Sequence, residues 1–363
     1  MDTPTLEHRD SQLTRFLRYA KNASPEGLRS VLRPVVRRVV PEDVRANIHE
    51  LPPVGPDGLA AADRWVDNHY TIRDAGTLRR FFFLCGCFKS GTNWVQNLLN
   101  LHPHARVRGE FHFEVLRNAV DQLTNVYWFL GSNPRLREVA IDGSEAMVRR
   151  MIYASTRDKP KAIWLGDRTP NPLRTVIRGA PQIIITRDVR DVLVSWSFHH
   201  MRLDNEMGIA VPFRECWAAA RPGFEADPKG FNPLDGLLGH EGWVRHHAKQ
   251  WAHICRASRE ALPKLEEDCT PVLQIKYEQL HADLDGEVQR LYRFLDLDPK
   301  LAEAPSAKTN TRPGFGREDR KSFYRKGAVG EWRETLPDRI RTIIKEEAGE
   351  ELIAAGYEEG LDW

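Results

Sequence analysis

The chain has 363 residues, enough for one large α/β domain or two smaller ones. Its 53 basic and 51 acidic residues give a formal net charge of +2, so nothing global argues for a nucleic-acid partner and any anion site must be local. The five cysteines are scattered and lack the spacing of a zinc site, which favours reduced thiols over a metal site. No apolar run reaches membrane-spanning length. With no signal-peptide pattern at the start, we expect a cytoplasmic protein.

Residues 1–56 are predicted to form a basic helical arm followed by a linker. Apolar residues between Leu28 and Val40 recur at helical spacing, arginines lie off that face, and Pro34 should kink the helix. The Pro-rich stretch at 51–56 is typical of a linker. We expect the arm to pack on its own domain, and weak contact with a membrane surface is the alternative.

Residues 57–363 are predicted to form one α/β domain. Short apolar strands alternate with helical patterns, which indicates a P-loop-like parallel sheet covered by helices on both faces. The predicted strands are 79–86, 182–186 and 271–276, and the predicted helices include 92–101, 243–262 and 335–356. Residues 201–240 are rich in Gly, Pro and Asn and are predicted to be a lid or an acceptor-binding insertion.

The first predicted strand runs into a lysine-bearing turn and then a helix, the pattern of a phosphate-binding loop. Amides at a helix N-terminus are unpaired and favour an anion, Gly91 allows close approach, and Lys89 adds a full charge. Gly86 and Gly91 have the spacing of an ATP-binding loop, but Thr92 and Asn93 replace its Lys-Ser/Thr pair. The loop therefore points away from kinases and ATPases.

Two further stretches could bind anions beside this loop, because ligands of open parallel sheets bind beyond the carboxyl ends of the strands. Arg187 follows a strand at once, and Ser195 lies eight residues later on the next helix. Near the C-terminus, Arg325-Lys326-Gly327 begins a segment that continues to Gly330-Glu331-Trp332. Taken singly, each stretch is equally consistent with local ion pairs or a charged loop.

Together the three stretches resemble the sulfotransferase superfamily, over roughly residues 79–357. The family's 5′-phosphosulfate loop reads K-S-G-T-T-W, its 3′-phosphate motif has Arg and Ser at the same eight-residue offset, and its closing loop reads R-K-G-x-x-G-D-W. The Y-E-D-L segment of the family is similar to the stretch that begins at Tyr277. The resemblance implies that 3′-phosphoadenosine 5′-phosphosulfate (PAPS) is the donor, that adenosine 3′,5′-bisphosphate (PAP) is the product, and that no metal is required. It implies donor contacts from Lys89, Ser90, Gly91, Thr92, Asn93, Trp94, Arg187, Ser195, Tyr277, Arg325, Lys326 and Gly327.

Candidate catalytic groups come from the first motif and from two further segments. Lys89 is the natural cation to neutralise charge on the leaving oxygen. In cytosolic members of the family the general base is a histidine, but Arg168 stands at that position here, and arginine cannot act as a base at neutral pH.

The segment Gly109-Glu110-Phe111-His112-Phe113 resembles the E-x-H-F segment of glycosaminoglycan-type sulfotransferases, where the glutamate is the base. We therefore expect Glu110 to be catalytic, with His112 orienting it or acting as the base itself, and Asp167 as the next candidate. The alternative for Glu110 is a surface ion pair with Arg106 or Arg108.

Two other functions are weighed against the sulfotransferase: an ATP-dependent, kinase-like P-loop protein, and a non-catalytic scaffold of the same fold. The displaced lysine argues against the first and the intact anion-binding residues against the second. The acceptor is expected to be a carbohydrate or a small hydroxylated molecule, with His199 and His200 as possible lining residues. The oligomeric state is left open.

Overall fold

The computed structural model describes residues 72–74, 77–126, 134–312, 319–322 and 325–363. The arm and linker predicted over residues 1–56, and the first part of the predicted domain, lie outside the described residues.

Five parallel strands form the central sheet. A small antiparallel pair, β1 (Arg73–Asp74) and β2 (Thr77–Leu78), precedes it. The central strands are β3 (Arg80–Gly86), β4 (Ala105–Arg108), β5 (Trp164–Arg168), β6 (Gln182–Thr186) and β7 (Val272–Lys276). Their order across the sheet is β4-β5-β3-β6-β7, and every neighbouring pair is parallel. β3 is therefore central, and its carboxyl end is flanked by the ends of β5 and β6.

Ten α-helices lie among the described residues. They are α1 (Thr92–Asn100), α2 (Phe113–Val126), α3 (Pro134–Ser155), α4 (Val189–Met201), α5 (Arg214–Ala226), α6 (Glu241–Glu267), α7 (Tyr277–Ala282), α8 (Leu284–Phe294), α9 (Trp332–Thr335) and α10 (Asp338–Ala354).

Successive side chains of β3 point into two different cores. Phe82 and Leu84 pack in one cluster with Leu98 of α1. Phe83 packs in the other with Ile152 of α3. Because strand side chains alternate between faces, this pattern requires apolar cover on both sides. The predicted parallel sheet with helices on both faces is confirmed.

Residues 201–240 are more compact than their composition suggests. They contain α5 and four short 3-10 turns, and their buried residues, such as Phe213 and Trp217, join the core formed by α4, α6 and α10. The Pro and Gly residues lie largely at the turns, which is why composition alone indicated a loop. A role of this region as a lid or in acceptor binding stays a prediction.

The five cysteines are free thiols, and Cys85 and Cys87 are buried. Burial raises the pKa of Cys85 to about 12, so this thiol is unreactive at neutral pH.

Candidate active site

The loop after β3 leads into α1 and leaves the backbone amide groups at the start of this helix uncapped. Lys89 and Gly91 both have left-handed backbone conformations, with φ of 57° and 104°. The Ser90 hydroxyl donates to the Cys87 carbonyl at 2.6 Å, which tightens the turn from inside. Gly91 is the N-cap residue, so no side chain caps the first amides of α1. The positive end of the helix dipole therefore faces the loop and can receive an anion.

Glycine is required at position 91 for two reasons. Its φ of 104° is unfavourable for any residue with a Cβ. A Cβ there would also stand 2.7 Å from Cδ2 of Tyr277, which packs directly against the loop. The close approach of loop and ring leaves no space for a side chain.

Trp94 supports the site from beneath. It is 1% exposed, packs edge-on to Tyr277 with ring centroids 5.2 Å apart, and donates from Nε1 to the Thr311 carbonyl at 2.7 Å. The neighbouring Thr92 is also buried, whereas Asn93 is half-buried. The predicted donor contact of Trp94 stays a prediction, since its described contacts are with protein.

Arg187 links the first predicted anion site to the third. Its guanidinium donates to the Lys89 carbonyl at 3.2 Å and to the Ala328 carbonyl at 2.8 Å, and it lies over the ring of Tyr277 at 4.2 Å. The side chain is buried, yet its Nε has no hydrogen-bond partner within the described ranges. A buried, charged donor without a partner is costly, so a ligand acceptor at this point would be stabilising.

The closing loop is attached to α4 by Asp191. This buried carboxylate accepts hydrogen bonds from the amides of Gly330 at 2.6 Å and Trp332 at 3.0 Å. Sequence reasoning missed Asp191, although its place four residues after Arg187 and on the same helix as Ser195 was a usable signal.

The cations of the closing loop are partly neutralised within it. Arg325 is buried and forms a two-pronged ion pair with Glu331. Lys326 Nζ lies 3.6 Å from the same carboxylate, and Gly327 has a φ of 61°. Arg187 thus holds the closing loop beside the phosphate-binding loop of residues 87–91, called the P-loop below, and the ion pairs fix the positions of its charged groups. Phe323 and Tyr324, which precede Arg325, lie outside the described residues.

Ser195 lies on α4 and is half-buried. It follows Arg187 by eight residues, which is about two helical turns. The three predicted anion-binding stretches therefore meet at one edge of the sheet, since Arg187 contacts the first and third directly and lies at the head of the helix that carries the second.

Lys89 sits among like charges. Burial, followed by the charges of Arg202 and Arg187, lowers the pKa of Lys89 well below its usual range. Such a concentration of positive charge is unfavourable in the protein alone and becomes favourable when an anion lies between the cations. The electrostatics of the loop therefore match an anionic ligand.

A group of histidine and tryptophan rings lies beside Lys89. His199 stacks on Trp196 with centroids 5.0 Å apart, and His200 accepts a hydrogen bond from Trp243 Nε1 at 3.2 Å. Burial, together with the Lys89 charge, lowers the pKa of His199 to about 3, and burial lowers that of His200 to about 3 as well. Both imidazoles are neutral at physiological pH.

His247 belongs to the same ring cluster and was not assigned a role from the sequence. Its side chain is buried against Trp243 and lies 5.6 Å from Phe88 of the P-loop, measured between ring centroids. Nδ1 contacts Gln250 Oε1 at 2.8 Å, while the buried Nε2 lacks a partner among the described residues.

Glu110 forms an ion pair with Arg168, the residue at the position where cytosolic sulfotransferases have a histidine. Arg168 is buried at the carboxyl end of β5 and also donates from Nε to Gln96 of α1 at 3.0 Å. This chain of contacts brings the Glu110 carboxylate towards the helix that follows the P-loop. The sequence did not indicate the pair, because its members lie 58 positions apart.

The expected alternative for Glu110 was wrong. Arg106 and Arg108 both bind Asp158 instead, at the outer edge of β4. Because side chains alternate along β4, these two arginines lie on the same face of the strand, and both bind the carboxylate that follows α3. Glu110 lies beyond the end of this strand, where the chain has turned towards β5.

His112 and Asp167 occupy different environments. His112 is exposed, and its Nδ1 lies 2.9 Å from the carboxylate of Glu114. Asp167 is 3% exposed and accepts hydrogen bonds from Thr169 Oγ1 at 2.7 Å and from the Phe111 amide at 3.3 Å. Burial raises the pKa of Asp167 to about 6. Because both of its oxygens are engaged, Asp167 holds the Glu110 segment in place.

Within the part of the chain that the structure describes, no group of three or more His, Cys, Asp or Glu side chains is arranged to hold a metal ion. None of the helices in the same part is long and apolar enough to span a membrane.

Comparison with known proteins identifies the family. Residues 79–353 match the family model of the sulfotransferase domain, which is about three-quarters of the chain. A relative from Arabidopsis thaliana, cytosolic sulfotransferase 9, is 23% identical over 290 residues, covering 74% of this chain and 77% of the relative.

Two solved structures resemble the chain at low identity. The mouse sulfotransferase SULT7A1 complexed with PAP is 16% identical, with a TM-score of 0.40, covering 78% of this chain and 94% of its own. Retinol dehydratase in complex with androsterone and inactive cofactor PAP is 18% identical, with a TM-score of 0.40, covering 84% and 96%.

The length of the match to the family model decides between the functions considered above. It leaves the kinase-like alternative without support and confirms the enzyme class that the three motifs predicted. The chain belongs to the sulfotransferase domain family, whose activity is transfer of a sulfuryl group from PAPS.

Proposed function

We propose that this enzyme transfers the sulfuryl group of PAPS to a hydroxyl group of a compact small-molecule acceptor. The observation that carries the proposal is the position of Arg187, which joins the P-loop carbonyl of Lys89 to the closing-loop carbonyl of Ala328. The buried, unpartnered Nε of Arg187 and the uncapped amides of α1 fit a donor that carries two separate anionic groups.

Residue roles follow from this arrangement. Lys89, the amides of α1 and the Thr92 and Asn93 side chains would hold the 5′-phosphosulfate. Arg187 and Ser195 would hold the 3′-phosphate together with the Arg325–Gly327 segment, and Tyr277 would support the nucleoside. When bound, PAPS supplies an activated sulfuryl group, whose transfer leaves negative charge on the phosphate–sulfate bridging oxygen.

Lys89 would neutralise the charge that develops on this leaving oxygen. Its amine lies in a partly buried site, where a positioned cation stabilises charge more strongly than it does in water. The surrounding arginines raise the positive electrostatic potential at Lys89 further. Because the protein holds them in place, they need little reorganisation when charge develops on the leaving oxygen.

Glu110 would act as the general base that accepts the proton of the acceptor hydroxyl. Its carboxylate is held by Arg168 at the carboxyl end of β5. Glu110 follows β4, and it would supply a base beside the position where cytosolic sulfotransferases have a histidine. Asp167 supports this assignment through its hydrogen bond to the Phe111 amide, which places the segment carrying Glu110.

The acceptor is proposed to be a small hydroxylated compound because the groups beside Lys89 are rings. Trp196, His199 and His200 form a compact cluster that suits an aromatic or cyclic acceptor. A cytosolic location is proposed on the basis of the cytosolic plant relative.

The experiment begins with calorimetric titration of PAP into the enzyme, with ATP as control and no added metal. We expect PAP to bind at least tenfold more tightly than ATP. A preference for magnesium–ATP, or no binding of PAP, would contradict the proposed donor.

The base is tested by Glu110→Gln, with Asp158→Asn as the matched control. Glu110→Gln should lower kcat by roughly 10²- to 10⁴-fold with PAP affinity unchanged, the usual contribution of a general base. Asp158→Asn removes another arginine-paired carboxylate, which lies at the outer edge of β4, and it should leave turnover unchanged. Unchanged turnover in Glu110→Gln would transfer the role to His112 or Asp167.

A further inference from the structure

One face of α4 carries polar side chains beyond the residue assigned to the 3′-phosphate. Ser195, His199 and Arg202 are spaced i, i+4 and i+7, so they lie along the same face. Arg202 is the C-cap residue of the helix, about 10 Å along the axis from Ser195. The charge of Lys89 acts on both His199 and Arg202, so this face runs past the P-loop lysine.

Arg202 is half-buried, and no carboxylate within the described ranges forms an ion pair with it. Its two terminal nitrogens make long contacts of 3.4 Å, one to the Arg320 carbonyl and one to His199 Nδ1. Burial and the charge of Arg325 lower the pKa of Arg202 to about 10, while Asp319 partly offsets them. The guanidinium therefore remains charged at neutral pH, within a cluster that already has excess positive charge.

None of the donor contacts assigned above involves Arg202. The 5′ group is matched by Lys89 and the amides of α1, and the 3′ group by Arg187, Ser195 and the closing loop. Arg202 lies at the opposite end of the α4 face from Arg187, next to the ring cluster assigned to the acceptor. A cation at this position would be complementary to a negative charge on the acceptor.

We propose that Arg202, with His199 beside it, binds an anionic group of the acceptor, so that the enzyme selects hydroxylated acids over their neutral analogues. This inference rests on the proposed function, since it assumes that the donor occupies the P-loop. A guanidinium binds carboxylate, phosphate and sulfate oxygens through paired N–H donors, so these groups share the recognition chemistry.

The probes are matched pairs of similar shape in which the second member carries one negative charge fewer. 4-Hydroxyphenylacetate is compared with 4-hydroxyphenylacetamide, and 4-hydroxyphenyl phosphate with the methylated phosphate diester, each titrated calorimetrically into the enzyme saturated with PAP. We expect each more highly charged member to bind roughly 10- to 100-fold more tightly than its partner.

Arg202→Met should abolish these preferences while leaving PAP affinity within twofold of wild type. Arg293→Met, which removes an exposed arginine of α8, is the control and should behave as wild type. For any acid that is turned over, Arg202→Met should raise KM with little change in kcat, the signature of a lost binding contact.

Three results would overturn the inference. One is the absence of charge preference in the wild-type PAP complex, including no binding by any probe. Another is a preference that survives Arg202→Met. The third is a loss of PAP affinity in Arg202→Met of tenfold or more, which would assign Arg202 to the donor site. Failure of wild-type enzyme to bind PAP would instead contradict the proposed function.

Discussion

Replacing Asp167 by asparagine should stabilise the folded protein at neutral pH and preserve turnover. The Asp167 carboxylate is buried at the end of β5, and burial raises its pKa from 3.8 to about 6. Asparagine has nearly the same shape and no charge. Its oxygen can still accept from the Phe111 amide, and its amide can donate to the Thr169 hydroxyl.

The magnitude follows from the linkage between protonation and folding. A group whose pKa is higher in the folded state stabilises the fold fully below its unfolded value and loses that contribution as pH rises through its folded value. For Asp167 this window runs from pH 3.8 to about 6. The difference of about two pH units corresponds to about 3 kcal/mol lost above pH 7, and about half of this is already lost at pH 5.

Asp167→Asn should therefore have a higher free energy of unfolding than wild type. This gain should be about 1.5 kcal/mol larger at pH 7.5 than at pH 5. Denaturant unfolding at both pH values measures this, and taking the difference between proteins cancels the other titrating groups. Asp158→Asn is the control: the hydrogen bond from Arg106 lowers the pKa of this carboxyl below its usual value, so it is ionised at both pH values and the variant should show little change between them. An Asp167→Asn variant with no added stability at pH 7.5 would contradict the argument, and loss of turnover in a stably folded variant would make Asp167 the base.

Two predictions concern the donor site. Lys89→Ala should lower kcat at saturating PAPS by at least roughly 10²- to 10³-fold, because it removes the cation that faces the leaving oxygen; single-turnover assays measure this, and a loss below tenfold would refute the role. Arg187→Ala should weaken PAP binding by roughly 10- to 100-fold, because it removes a charged donor and unlinks the Lys89 and Ala328 carbonyls. Calorimetry measures the affinity, and equal values for wild type and variant would exclude Arg187 from the 3′-phosphate site.

The parts of the site that could be predicted from sequence are those carried by short stretches. An apolar run followed by Lys89 and Gly91 describes a strand, a turn and a helix start within about fifteen residues. The same holds for Arg187 after β6 and for Arg325 in the closing loop. Each depends on backbone geometry and charge that neighbouring residues determine together.

Contacts between distant residues could not be predicted in this way. The pairing of Glu110 with Arg168 depends on β4 and β5 lying side by side, and β4 itself was missed because four residues give too short a pattern. The helices α2 and α3 were also missed, although they provide one face of the sheet. Asp191 and Arg202 acquire their roles only when the closing loop and the P-loop fold against α4.

By itself the sequence determined the sheet class, the phosphate-binding loop and the family resemblance, because local periodicity and short motifs are written in consecutive residues. The tertiary structure alone decided which carboxylate faces Arg168, which closing-loop amides bind Asp191, and which cations surround Lys89. All three depend on contacts between residues far apart in the chain. Strand order brings such residues together, and burial then sets their hydrogen-bond partners and pKa values.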